Sequence, residues 1–293
     1  MTIDVNRRQF LIAGIGAALA IRSTRAQDAK VTNPFYAMDT SFARPGLTTD
    51  QQFDLVKDLG YAGVAWTQEP LEKLSANLQK IEQRGLKMFT IYCGANVTPT
   101  GELKLPPELP KLMTLLKGHG TVIWLHIGGK GPDFAKLTPQ DPLVTSLRSA
   151  ADMAKQNDLR IAIYPHFGEW TAHFGDATQL AKVVDHDRFG VTFNLCHTLA
   201  VGDEAKIPAL LDSAKDKLFT ATICGADTGA QWGRLIQTLD KGTFDNAALL
   251  RKLHQIGFAG PIGFQGFGIN ADARSILTPT MNAWKKLISQ AER

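Results

Sequence analysis

Three cysteines in 293 residues, Cys93, Cys196 and Cys224, are too few and too widely spaced for a disulfide framework, and no CxxC pair exists to build a structural zinc site. Each falls at or near the end of an apolar run, which reads as a small buried hydrophobe. No G-x-S-x-G stretch is present, so a Ser-His-Asp hydrolase of the nucleophile-elbow type has no support. No glycine-rich phosphate loop follows the first strand-like segment. The lone run Gly128-Gly129-Lys130-Gly131 has no helix opening behind it and is expected to form a flexible loop at the site rather than a P-loop. Beyond residue 26 no stretch of about 18 apolar residues occurs, so no membrane span is expected there. Internal repeats and low-complexity segments are missing too.

Charge of one sign is also scarce. The formal net charge is +4, from 32 Lys+Arg against 28 Asp+Glu, but 4 of the basic and 1 of the acidic residues lie in residues 1–26. Without them the chain is nearly neutral, and no Lys/Arg stripe remains to cover phosphates, which argues against a nucleic-acid partner. That first segment has the order of an export signal. Asn6-Arg7-Arg8-Gln9-Phe10-Leu11 precedes the small, apolar run 12–21 and then Thr24-Arg25-Ala26. A twin arginine ahead of a short apolar core resembles a Tat signal. The sequence thus divides into a signal peptide over 1–26, a linker over 27–34 and a folded domain over 35–293, with a periplasmic or otherwise exported address.

The folded part alternates apolar runs with amphipathic stretches. Strands are predicted at 35–39, 61–66, 86–92, 121–126, 159–166, 189–195, 217–224 and 261–267. Helices are predicted at 48–60, 70–84, 107–117, 142–156, 176–184, 204–213, 246–256 and 273–288. The strands are apolar throughout rather than alternating, as in a parallel sheet covered by helices. Eight strand-helix pairs are the number that closes a (β/α)8 TIM barrel, an α/β fold.

Such a barrel gathers the carboxyl ends of its strands at one mouth. Those ends here carry Asp39, Trp66 with Gln68 and Glu69, Tyr92 with Cys93, His126, Tyr164 with His166 and Glu169, Asn194 with His197, Cys224 with Asp227, and Gln265. Three of the 7 histidines sit at these ends, whereas His119, His173, His186 and His254 fall in loops or helices. A single pair such as Asn194 and His197 reads equally as a turn former and a core histidine. The convergence of several ends is what favours a site. Histidine, tyrosine and carboxylate beside an aromatic wall suit a polyhydroxylated ligand, with Trp66 or Trp170 as the stacking face and the amides of Asn194 and Gln265 holding hydroxyls. Histidine and tyrosine also move protons when burial and neighbours tune them.

In order and spacing, the segments LGYAGVAW, IAIYPH, GVTFNLCHTL, ATICGAD and GFQGFG resemble the xylose-isomerase-like TIM barrels, the superfamily of sugar isomerases, ketose epimerases and related lyases. The likeness covers essentially all of residues 35–293 and points to an exported branch described as sugar phosphate isomerase/epimerase. It implies a divalent metal, Mn²⁺ or Mg²⁺, held by Glu, Asp, His and Glu on the fifth to eighth strands. Those places here fall on Tyr164, Asn194, Cys224 and Gln265, so every implied ligand is changed. His197 and Asp227, each three residues past a ligand place, match the family pattern and would contact substrate.

Two arrangements remain open: a displaced site in which His126, His166 and His197 bind a softer metal such as Zn²⁺, or a metal-free pocket. The function expected is proton abstraction beside the carbonyl of a sugar or keto-sugar, by an isomerase, epimerase or lyase. His166 or His197 would be the base and Tyr164 the acid. Trp66, His126, Glu169, Asn194, Asp227 and Gln265 would bind substrate. The alternatives are a non-catalytic carbohydrate-binding barrel and a zinc-dependent hydrolase. Oligomeric state is not legible in the sequence.

Overall fold

Strands covered on both faces must be apolar along their length, and the short runs rich in Val, Ile, Phe and Tyr meet that requirement. In the computed structural model, which describes residues 32–229 and 231–291, they become strands separated by helices. The strands are β1 (Phe35–Met38), β2 (Gly63–Trp66), β3 (Lys87–Val97), the two-residue β4 (Leu103–Lys104), β5 (Val122–Gly129), β6 (Arg160–Ile163), β7 (Phe189–Asn194), β8 (Leu218–Ile223) and β9 (Ile262–Phe264). Among the described residues, eight of these pair in parallel in the order β2-β1-β9-β8-β7-β6-β5-β3, and β2 pairs with β3 to close the ring. The fold is a (β/α)8 TIM barrel. β4 is an antiparallel addition to the end of β3.

The helices are α1 (Asp39–Phe42), α2 (Thr49–Asp58), α3 (Leu71–Gln83), α4 (Leu109–Leu115), α5 (Pro142–Gln156), α6 (Phe174–Val184), α7 (Leu195–Ala200), α8 (Ile207–Ala214), α9 (Asn246–Gln255) and α10 (Ala273–Ala291). Local chemistry sets their ends. Thr48 and Gln51 form a reciprocal capping box at the start of α2, each side chain accepting from the other's backbone N–H. Beyond α3, Gly85 takes φ +70°, the left-handed conformation that terminates a helix without a Cβ penalty. Leu74, Leu78 and Ile81 of α3, at helical spacing, face the core.

Inside the ring, Tyr36, Met38, Ala65, Phe89, Val122, Trp124, Ala162 and Tyr164 pack together. They stand two residues apart where a strand supplies two of them, as an inward-facing row must. The large rings need small neighbours. A Cβ on Gly263 would lie 2.5 Å from the Tyr36 ring, so only glycine lets that ring cross the barrel. Trp124 donates Nε1–H to Thr220 Oγ1 at 2.8 Å, which satisfies its one polar group in the interior.

Several predicted boundaries are corrected. β3 and β5 run well past Tyr92 and His126, and pair as far as Val97 with Gly129. Gly128 and Gly129 are therefore strand residues and not a flexible loop. A Cβ on Gly129 would meet the Val97 carbonyl oxygen at 2.3 Å, so glycine serves close strand approach there. β6 ends at Ile163, which leaves Tyr164 and His166 beyond the ladder. α7 follows β7 without a loop, so Cys196 and His197 are helical rather than extended. The segment predicted as a signal, 1–26, and residues 27–31 of the linker lie outside the described residues. Asn33, at the linker's end, donates to the carbonyls of Phe258 and Gly260 at 3.2 and 2.7 Å and so ties the start of β1 to the loop before β9.

Candidate active site

At the carboxyl ends of the strands lies a cavity of about 350 Å³. Thr40 of α1, Thr67 just past β2, Tyr92 of β3 and His126 of β5 line it. His166 beyond β6, His197 of α7 and Gln265 just past β9 follow, together with Trp232, Ile236 and Phe267. The barrel thus brings together three histidines that are 71 residues apart in the chain at their extremes.

The protonation of those histidines can be read from their partners, because a backbone N–H only donates and a carbonyl only accepts. His197 Nδ1 accepts from the Phe167 N–H at 3.2 Å, so its proton is on Nε2. His166 Nδ1 lies 3.0 Å from the Phe167 carbonyl oxygen and must donate to it, so in the neutral ring Nε2 is the acceptor. His126 Nδ1 is 2.8 Å from Glu169 Oε1, an arrangement in which the carboxylate accepts and orients the ring. Burial, with His166 beside it, pushes His197 down to about 3. His197 is therefore a neutral donor at physiological pH.

A second network lies beneath. Asn194 Oδ1 accepts from the His197 N–H at 3.4 Å and Gln265 Oε1 from the Phe267 N–H at 3.2 Å, which fixes both amides with their NH2 groups toward the Tyr164 hydroxyl. The Tyr164 oxygen also accepts from the Tyr92 hydroxyl, 2.9 Å away. Burial raises both phenols well above the ordinary tyrosine value, so they stay protonated. Asp39, 8 % exposed, clamps the opposite wall: Oδ1 accepts from Thr40 N at 2.8 Å, and Oδ2 from the N–H and hydroxyl of Thr67. Its carboxyl is raised by burial.

Of the residues picked out in the sequence, His126, His166, His197 and Gln265 line the cavity directly. Tyr164 and Asn194 are fully buried below it and Glu169 sits behind His126, so these three act through neighbours. Trp66 does not present a stacking face. Its ring packs on Phe42 and Phe53, and its Nε1 donates to Glu69. Trp170 stacks instead on Phe134. Asp227 is turned away into an ion pair with Arg234, which holds its carboxyl below the usual range. Sequence reasoning left Tyr92, Thr40, Thr67, Trp232, Ile236 and Phe267 without a role. The two threonines directly follow strand ends and could have been found that way. Trp232 and Ile236 lie in the irregular segment after β8, where no periodicity flags them.

A closed parallel barrel with a cavity at its carboxyl mouth defines the class of (β/α)8 proteins that bind small molecules there. Within that class the chain belongs to the xylose isomerase-like TIM barrel family, whose model matches residues 53–288. No curated protein matches the sequence. Among solved structures, it is similar to the probable 3-DHS dehydratase involved in petrobactin synthesis from Bacillus anthracis (13% identity, TM-score 0.67, 86% of this chain and 98% of that one). It is also similar to an L-ribulose 3-epimerase (14%, 0.65, 88% and 95%) and to a 3-keto-D-glucoside 4-epimerase from E. coli (15%, 0.63, 88% and 99%). At these identities the likeness is one of fold.

The residues at the metal places implied by the family do not fit its hard divalent cation. Tyr164, Asn194 and Gln265 commit their polar groups to one another, and Cys224 donates its thiol to the Leu235 carbonyl at 3.2 Å. The neighbouring Cys196 thiol and burial raise Cys224 well above the ordinary thiol value, so it offers no thiolate. The relocated three-histidine site is not assembled either. Among the described residues no three His, Cys, Asp or Glu side chains form a metal-holding group.

Proposed function

We propose that this protein is an exported enzyme that moves a proton beside the carbonyl of an unphosphorylated sugar or keto-sugar, as an epimerase, isomerase or lyase. The observation that carries the reading is the opposite tautomers of His166 and His197. One small cavity thereby holds a proton acceptor, His166 Nε2, and a neutral donor, His197 Nε2–H. The family's sugar-processing members and the twin-arginine order at residues 7–8 support the substrate class and the address.

In this reading His166 Nε2, or His126 Nε2 backed by Glu169, takes the proton from the carbon next to the carbonyl. The electron pair moves onto the carbonyl oxygen, which receives a hydrogen bond from His197 Nε2–H. Tyr92 takes the place of Tyr164 as the acid by turning its hydroxyl hydrogen from the Tyr164 oxygen to the carbonyl oxygen, because Tyr92 lines the cavity and Tyr164 is buried below it. The His126 and His166 ring centroids are 6.2 Å apart, so one ring can remove a proton and the other, protonated, can return one. Return to the opposite face gives epimerisation, return to the neighbouring carbon isomerisation, and loss of a β-hydroxyl dehydration.

The purified full chain, incubated in D2O with a panel of ketoses and 3-keto-sugars and followed by proton NMR, should exchange the hydrogen beside the carbonyl. Binding without exchange across the panel would favour a non-catalytic sugar-binding barrel instead.

A further inference from the structure

Three large hydrophobic side chains stand exposed among the described residues: Phe167 at 47 %, Trp232 at 38 % and Phe267 at 56 %. All three are at the mouth of the same cavity. Trp232 and Phe267 line it, and Phe167 stacks on Trp232 with centroids 5.6 Å apart and planes 21° off parallel. Trp232 also stacks on His197 at 5.7 Å and 29°, so the rings rise as a ladder from the cavity wall to solvent. Exposed apolar surface gathered in one place marks a recognition site. The opposite wall, made by Thr40, Thr67, Tyr92 and His126, is polar.

Among the described residues, none that line the cavity is Lys, Arg, Asp or Glu. Nothing there offers a fixed counter-charge to a phosphate or carboxylate. At about 350 Å³ the cavity is near the lower end of ligand pockets, roughly 300–1,000 Å³, and suits one sugar ring. The aromatic ladder extends beyond that volume, where a free monosaccharide has no atoms to place against it.

We propose that the ligand is an uncharged glycoside, with one sugar ring among the hydroxyl, imidazole and amide groups of the cavity and a ring-bearing aglycone stacked on Trp232 and Phe167. This rests on the reading of the cavity as a sugar site, and it makes the two aromatic residues specificity determinants rather than catalytic groups.

Isothermal titration calorimetry of the full chain tests it with methyl and 4-nitrophenyl glycosides of glucose, galactose and xylose, with glucose 6-phosphate, and with 4-nitrophenol alone. These unoxidised glycosides need not react, so the result is independent of the deuterium-exchange experiment. For at least one sugar, the 4-nitrophenyl glycoside should bind about tenfold tighter than the methyl glycoside, the scale of one aromatic stacking contact. Trp232→Ala and Phe167→Ala should each shrink that ratio, Trp232→Ala to near unity. The proposal is overturned by equal affinities within every pair, by no binding of any glycoside, or by tighter binding of glucose 6-phosphate. It is equally overturned if 4-nitrophenol alone binds as well as its glycoside, or if the ratio survives in both variants.

Discussion

The Phe167 N–H donates to His197 Nδ1 at 3.2 Å while the carbonyl of the same residue faces His166 Nδ1 at 3.0 Å, so a single peptide residue gives two neighbouring histidines opposite tautomers. A side-chain substitution at Phe167 leaves both backbone bonds in place. The histidines themselves should differ in effect. His166→Gln replaces the basic imidazole by an amide that cannot take up the proton, and should lower the deuterium-exchange rate by roughly 10²–10⁴, the range for a general base. His197→Gln keeps an amide able to donate to the developing oxyanion and should be milder. Equal losses in the two variants, measured as kcat, would contradict this division of labour.

His197 also links stability to pH. Its folded value, about 3, lies below the unfolded value of about 6.5, so the unfolded chain binds the proton more readily between them. The contribution is complete above pH 6.5 and is lost as the pH falls through that window. Between pH 6.5 and 4 the loss is on the order of 3 kcal/mol. Urea unfolding across this range should show it, and the wild-type slope with pH should exceed that of His197→Gln. Parallel curves would mean that His197 does not titrate as proposed.

The barrel was legible because each strand-helix pair carries its own signal: apolar runs such as 189–195, helical spacing in Leu74, Leu78 and Ile81, and turn residues such as Gly85. The mouth was legible in part for the same reason, since His126, His166, His197 and Gln265 end or closely follow such runs. What the sequence concealed depends on contacts between distant segments. Trp66 ends a predicted strand as His126 does, yet Phe42 and Phe53 claim its ring. Asp227 is drawn off by Arg234, and Trp232 reaches the cavity from a segment without periodicity. Tyr92 lines the cavity while Tyr164 is buried beneath it, a difference set by packing between strands that neither tyrosine's local sequence displays.

Tyr92 and Tyr164 should separate cleanly on mutation. Tyr92→Phe removes the hydroxyl that meets the ligand and should cut exchange by about 10²-fold or more with little change in stability. Tyr164→Phe strips Asn194 and Gln265 of their shared acceptor, leaving buried N–H groups unpaired at about 1–3 kcal/mol. Chemical denaturation alongside kcat distinguishes the two. A larger stability loss for Tyr92→Phe than for Tyr164→Phe would reverse the assignment.

Gly94, paired in register with His126 across β3 and β5, gives the imidazole its room. A Cβ at Gly94 would lie 3.0 Å from His126 Nε2, closer than ordinary van der Waals contact. Gly94→Ala should push the ring aside and lower turnover, most of all if His126 takes or returns a proton. The NMR signals of the His126 ring should move with it. Unchanged turnover would show that His126 is not a proton carrier and serves only as wall.

Glu169 holds His126 from behind, with Oε1 2.8 Å from Nδ1, while its other oxygen, Oε2, is buried without a hydrogen-bond partner among the described residues. A carboxylate in that position can only accept, so it imposes a proton on Nδ1 and keeps Nε2 free for the ligand. In Glu169→Gln the amide can instead turn its NH2 toward Nδ1, which moves the histidine proton to Nε2 and closes the acceptor. Exchange through His126 should then fall while exchange through His166 survives. An epimerase that needs both rings should lose net inversion and retain one-sided deuterium incorporation, a split visible by NMR in the recovered substrate. Loss of both in equal measure would place His126 and His166 on one proton path instead of two.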